Sequence, residues 1–340
     1  MLAVYHPDQE AHRPLTRLVY GVLKDNFETP ERATLLLDAL HAERSPIVEP
    51  DDYGRDPLLR IHSSDYLAFI EHCHREWQGI PGASPEVRPS LHPNRYMDRR
   101  PDDLLGRAGY YMADAGCVVL DGTWKAAYAA AQTAIHAATL VAGGARAAYA
   151  LCRPPGHHAY RDMAGGFCYL NNAAIAAGVL RESFGRVAIV DVDVHHGNGT
   201  QAIFYARPDI AFASVHADPL TTYPYYAGYA DETGSGAGVG LTLNVPLPPG
   251  SGDSAWLDAA GRCMRFVAGT DAEALVISLG LDASVNDPFR CMQVSHRGFA
   301  AIGQRLAAAG LPTVIVQEGG YVSPSLPVDL VHFLRGFGTV

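Results

Sequence analysis

The chain lacks the marks of a secreted, membrane-spanning or nucleic-acid-binding protein. Its six cysteines (Cys73, Cys117, Cys152, Cys168, Cys263, Cys291) are scattered and form no C-x-x-C pair. Several lie inside apolar runs, where reduced core thiols belong. The first ten residues, MLAVYHPDQE, have neither the basic flank nor the apolar stretch of a secretory signal. The longest run of small apolar residues, Ala126 to Ala142, is broken by Gln132, Thr133, His136 and Thr139. That pattern predicts an alanine-rich core helix and no membrane span, so a cytoplasmic location is expected. Positive charge is scarce, with 26 Lys and Arg against 36 Asp and Glu and a formal charge of −10. A phosphate backbone is therefore a poor partner. The acidity inclines toward a cationic substrate, although solubility accounts for it equally well.

Apolar residues, by contrast, make up 48% of the 340 and charged residues only 18%, enough for a large buried core. From about residue 146 a short Val/Ile/Ala-rich run recurs: RAAYAL (146–151), RVAIVDVDV (186–194), IAFASVH (210–216), EALVISLGLD (273–282) and LPTVIVQEGG (311–320). Such near-continuous runs suit parallel strands buried on both faces. Helix-like stretches at Asn172 to Glu182, Ser254 to Ala268 and Ser295 to Ala309 alternate with them, which implies an open α/β sheet. Residues 30–44 also read as an amphipathic helix, with Pro30 near its start. Gly79 to Asp103 carries five prolines and four arginines and reads as a long loop or insertion.

Each strand-like run ends in reactive side chains: His157-His158, Asp191-x-Asp193-x-His195, His216, Asp282 and Glu318-Gly-Gly-Tyr321. Open parallel sheets bind ligands at the carboxyl ends of their strands. Alternation along DVDVHHGNG (191–199) places Asp191, Asp193 and His195 on one face. Asp193, His195 and Asp282 make three N/O ligands with a position left open, the pattern of a catalytic zinc site. The paired His157 and His158 follow a Pro/Gly-rich turn and suit acid–base work near neutral pH. Tyr321, on a glycine turn, is a candidate oxyanion donor. His196 alternates away from the metal face and reads as a packing residue. His41, His72, His74, His136 and His296 read as ordinary helix or surface residues.

Together, RPPGHHA (153–159), GGFCYLNNAA (165–174), DVDVHHGNGTQ (191–201), SLGLD (278–282) and EGGY (318–321) resemble the histone deacetylase superfamily. PERA (30–33) and IHSSDYL (61–67) extend the resemblance toward the N-terminus, while GYYMADAG (109–116) and DGTWKAA (121–127) are most similar to its bacterial acetylpolyamine amidohydrolase branch. The resemblance implies one catalytic domain over residues 1–340, an arginase-like three-layer α/β/α sandwich on a mainly parallel eight-stranded sheet. It also implies a dimerisation and entrance insertion at about 79–106, hence a homodimer. Zinc, or ferrous iron in the cell, is expected on Asp193, His195 and Asp282. The general base and acid is expected at His158, its electrostatic partner at His157 and the carbonyl-polarising hydroxyl at Tyr321. Asp191 is expected to orient His157 and to join a structural potassium ion with the carbonyls of Asp193, His195 and Val215 and the Ser214 hydroxyl. Gly166, Phe167, Tyr223 and Phe289 match tunnel-lining positions. Asn198 stands where class I deacetylases carry Asp. Leu105 and Gly116 stand where the polyamine branch can carry carboxylates, with Asp102, Asp103 and Asp114 close by. The implied activity is removal of acetyl from small acetylated amines such as acetylpolyamines. Acetyl-lysine peptides or proteins are the alternative substrate class. An arginase-type dimetal hydrolase would need further Asp and His ligands, and a metal-bound sensor of acylated amines would have no need of both His158 and Tyr321.

Overall fold

A computed structural model describes residues 1–338. The strands are β1 (Leu2–Val4), β2 (Thr16–Val19), β3 (Val22–Asp25), β4 (Ile47–Val48), β5 (Ala147–Ala150), β6 (Val187–Asp191), β7 (Ile210–Ala217), β8 (Thr242–Leu247), β9 (Ala274–Leu279) and β10 (Thr313–Gln317). Eight of them form one sheet in the order β4-β1-β5-β10-β9-β6-β7-β8, and every pairing is parallel. The other two, β2 and β3, form a separate antiparallel hairpin.

All five apolar runs are strands; four are shorter than their runs because the flanking polar residues leave the ladder, while β7 continues one residue past its run to Ala217. The alternation within them sorts side chains into two cores. Val187, Ile189, Val276, Val314 and Val316 join the core under the helices Thr123–Ala142 and Asn172–Leu180. Ala188, Val190, Ile277 and Ile315 join the core under Asp253–Ala268, His296–Ala307 and Leu326–Gly336. The helix expected over 30–44 spans Glu31–Ala42 on this second face. The result is three layers around a sheet apolar on both sides.

Three sheet strands, β1, β4 and β8, were not legible as strands. β1 and β4 have three and two residues, too few for a periodicity. β8 contains Asn244 and Pro246 and lies at the sheet edge, where a missing N–H donor is tolerated.

Parallel pairing brings the useful ends together. The strands β5, β10, β9, β6 and β7 are contiguous, and Asp191 at the end of β6 is in register with Ser214 on β7 and Ser278 on β9. Residues 79–103 contain no helix or named strand, which agrees with the long loop expected there. It is nonetheless anchored: Glu86 accepts the backbone N–H of Leu15 at 2.7 Å and the Thr16 hydroxyl at 2.7 Å. This segment is thereby tied to the β2–β3 hairpin.

Candidate active site

Past Asp191 the chain leaves the ladder, and Asp193 and His195 reach the site from a tight loop rather than from the strand itself. Asp193 Oδ1 accepts the His195 backbone N–H at 2.9 Å, and Asp193 Oδ2 accepts the Gly319 N–H at 2.7 Å. Asp282, beyond β9, accepts the Val194 N–H at 3.1 Å. One ligand atom from each of Asp193, His195 and Asp282 lies within 4.8 Å of the others, and all three residues are buried. His195 Nδ1 is 3.3 Å from Asp193 Oδ1 and 3.2 Å from Asp282 Oδ2. Burial opposes charge on His195, yet the two carboxylates outweigh it and raise its pKa well above the ordinary histidine value. Asp282 Oδ2 is buried and makes no well-formed hydrogen bond among the described residues, with His195 Nδ1 3.2 Å away. A site that pulls a proton onto an imidazole between two buried carboxylates fits a divalent cation, which takes the proton's place.

The His157 and His158 rings pack at 4.0 Å between centroids, tilted by 43°, but their partners differ. Nδ1 of His157 lies 2.9 Å from Asp191 Oδ2. Burial works against its charge, but Asp193 and Asp191 overcome this and push its pKa up to about 10. Nδ1 of His158 lies 2.6 Å from the neutral Asn198 Oδ1. Burial, together with the positive charges of His157 and His195, holds its pKa well below the ordinary value. The two adjacent imidazoles are therefore pushed in opposite directions, His157 toward its charged form and His158 toward its neutral form. The glycines permit this packing: a Cβ on Gly166 would meet His158 Cδ2 at 2.3 Å, and one on Gly197 would meet Asp191 Oδ2 at 2.2 Å.

Tyr321 is only 4% exposed. Its ring packs against Phe289 at 5.0 Å and Phe167 at 6.1 Å, and its backbone N–H donates to Asp287 Oδ2 at 2.9 Å. Burial pushes its pKa well above the ordinary phenol value, so the hydroxyl keeps its proton. Sequence reasoning missed what holds this turn. Arg32 donates to the carbonyls of Gly320 and Glu318, each at 2.5 Å, and its guanidinium lies 4.8 Å from the Tyr321 ring centroid. Glu28 pairs with Arg32 at 2.8 Å and with Arg153 at 2.8 Å, all three fully buried. PERA carried the resemblance, but nothing in its pattern said that Arg32 would reach across to the EGGY turn.

The expected tunnel residues Gly166, Phe167, Tyr223 and Phe289 line one cleft of about 320 Å³ with His158, His195 and Tyr321 at its floor. Asp114, Gly116, Arg17 and Leu18 also line it. Asp102 is exposed, and Asp103 caps the helix Leu104–Tyr111 by accepting the Leu105 N–H at 2.9 Å. Not every polar strand end reaches this floor. His216 bonds to Ser214 Oγ at 2.8 Å and to the Gly228 carbonyl at 2.8 Å, behind the metal cluster and beside His196. His196 is buried and bonds to Gln201, in keeping with a packing role. Val215 lies in the second core, and no hydrogen bond from a described residue reaches the carbonyls of Asp193 or His195.

Residues 26–337 match the histone deacetylase domain. The chain belongs to the histone deacetylase family. It is 46% identical to the acetylpolyamine amidohydrolase of Burkholderia pseudomallei, across 100% of this chain and 99% of that protein. It is 43% identical to acetylpolyamine amidohydrolase 1 of Pseudomonas aeruginosa, across 99% of both. A crystal structure of the Burkholderia pseudomallei acetylpolyamine aminohydrolase superimposes with a TM-score of 0.94 at 45% identity, covering 99% of this chain and 98% of the other. The protein is thus a hydrolytic deacetylase of the arginase-like fold, and membership in the family implies a divalent metal. Among the described residues no helix is long and apolar enough to cross a membrane.

Proposed function

We propose that the protein is a zinc-dependent hydrolase that removes acetyl groups from small acetylated amines, the class to which its relatives' acetylpolyamines belong. The observation that carries this reading is the buried triad Asp193, His195 and Asp282 beside His158, whose Nδ1 is held by Asn198, in a narrow aromatic-walled cleft. Asp193, His195 and Asp282 would hold the ion. When bound, zinc supplies Lewis acidity to the amide carbonyl and acidity to a water molecule. His158 Nε2 takes the proton of that water and returns it to the departing nitrogen. Asn198 fixes the His158 tautomer through Nδ1 without adding a negative charge. His157, pushed toward its charged form by Asp193 and Asp191, stabilises negative charge near the floor. Tyr321 donates its hydroxyl hydrogen to the carbonyl oxygen as that oxygen becomes anionic. A potassium ion suits the buried Asp191, the Ser214 hydroxyl, the Val215 carbonyl and the unbonded carbonyls of Asp193 and His195.

The insertion at 79–106 exposes Leu91 (66%), Tyr96 (86%), Met97 (50%) and Leu105 (56%), which favours its burial in a homodimer that also narrows the entrance. Purified protein should hold one divalent ion per chain, and Asp193→Ala should lose both ion and turnover. Two ions per chain, both needed for activity, would instead favour an arginase-type reaction. A panel of acetylated amines and acetyl-lysine proteins should show faster turnover of the small molecules. Equal rates on intact histones would refute the substrate class.

A further inference from the structure

The charged side chains lining the cleft are committed, with one exception. His158 and His195 belong to its floor. Asp114 is saturated: Oδ1 accepts the N–H groups of Gly116 and Cys117 at 2.8 and 3.0 Å. Its Oδ2 accepts the Gly166 N–H at 2.9 Å and the Tyr223 hydroxyl at 2.8 Å. Arg17 differs. It lies half-buried on β2 at the rim, next to the exposed Leu18. Its guanidinium stacks 3.7 Å from the Phe27 ring centroid, and its Nε donates to the Asp25 carbonyl at 3.2 Å. Among the described residues no carboxylate pairs with it. Partial burial strips water from this cation without supplying an anion in return, which lowers its pKa.

A second observation points the same way. Lys24 stands directly opposite Arg17 in the antiparallel register, so the two side chains share one face of the hairpin. Like charges placed opposite each other repel and destabilise the pair. An anion bound beside them would relieve that repulsion. The stack on Phe27 also holds the guanidinium in place before any ligand arrives, which reduces the entropy lost on binding.

We propose that Arg17, supported by Lys24, is a specificity residue that receives a carboxylate at the far end of the substrate. Among small acetylated amines, the enzyme then favours those whose aliphatic chain ends in a carboxylate over those ending in an ammonium group. This rests on the deacetylase reading of the floor. The acetamide sits against Tyr321, the chain passes between Phe167 and Tyr223, and its end emerges at the rim. The overall charge of −10 acts over a longer range and is screened beyond roughly 8 Å in physiological salt, so the nearby guanidinium dominates contacts at the rim.

Three substrates of similar length separate the effects: N-acetyl-γ-aminobutyrate with a terminal carboxylate, N-butylacetamide with no charge, and N-acetylputrescine with a terminal ammonium. At low ionic strength kcat/KM should fall in that order, by about tenfold per step, and the spread should contract in high salt. Most of the difference should lie in KM, because the rim contact is made equally in ground and transition states. Arg17→Gln should collapse the carboxylate-to-neutral ratio toward one, and Arg17→Glu should invert the order. These ratios are internal to each variant, so a change in the amount of folded enzyme does not alter them. Preference for the ammonium substrate in the wild-type enzyme, or an order unaltered by Arg17→Glu, overturns the proposal while leaving the deacetylase intact. Failure of the metal-loaded enzyme to hydrolyse any of the three, or any other acetylated amine, overturns both readings.

Discussion

Gly319 lies against two of the three residues proposed to hold the metal, and adding one methyl group there tests the site with little else disturbed. Its φ is not in the left-handed region, so alanine is conformationally allowed and only the neighbours matter. A Cβ at this position would lie 2.3 Å from Asp282 Oδ2 and 2.4 Å from Asp193 Oδ2, well inside the 3.0 Å below which real Cβ contacts are essentially never seen. Each carboxylate oxygen must then retreat by roughly 0.6 Å or more, against a tolerance of about 0.2 Å for a metal–ligand distance. Neither can rotate freely, since Asp193 also holds the N–H groups of His195 and Gly319, and Asp282 that of Val194. Overpacking should cost about 1–3 kcal/mol of stability in the metal-free protein. Metal affinity should fall further, by at least the roughly 10–100-fold that follows disturbance of groups behind a metal ligand. Competition against a chromogenic chelator measures the affinity, and circular dichroism of the metal-free variant confirms the fold. A folded Gly319→Ala protein that binds zinc as tightly as the parent would show that the two carboxylates do not ligate together.

Tyr321→Phe should retain the metal and lose roughly 10²–10³ in kcat, the scale for one oxyanion donor; near-normal turnover would remove the hydroxyl from the mechanism. Because burial and the neighbouring cations depress the His158 pKa, the acid limb of kcat/KM should lie below the ordinary histidine value of about 6.5. Asn198→Asp places a negative charge beside Nδ1, so it should move that limb to higher pH; an unmoved limb would detach His158 from the rate. His62, fully buried, has its pKa lowered to about 4 by burial, so the unfolded chain binds a proton that the native state refuses between pH 6.5 and about 4. Stability should therefore fall with pH across that window, by up to about 1.4 kcal/mol per unit from this residue. His62→Gln should flatten the dependence in urea titrations, and an identical slope would contradict the assignment.

The sequence by itself determined the parallel core strands and singled out Asp193, His195 and Asp282, which the fold brings together as one buried cluster. Both readings rest on local properties: an apolar run buried on two faces reads as such in one dimension, and DVDVHHGNG, SLGLD and EGGY each carry their own residues. Strands of two or three residues, and an edge strand containing Pro246, carry no such period and emerged only in the fold. The resemblance assigned different roles to the two histidines, and the tertiary structure supplies the physical cause. His157 and His158 are adjacent in sequence, but one meets Asp191 and the other Asn198, so their proton affinities diverge. Tertiary structure alone decided that Arg32 braces the Tyr321 turn from nearly the whole chain away, and that His216, polar and at a strand end, bonds to Ser214 and Gly228 instead of joining the Asp193, His195 and Asp282 cluster. It brought Arg17 from the hairpin to the cleft rim. Long-range contacts of single charged side chains leave no periodic trace, because their energy depends on which partner the folded backbone places opposite them.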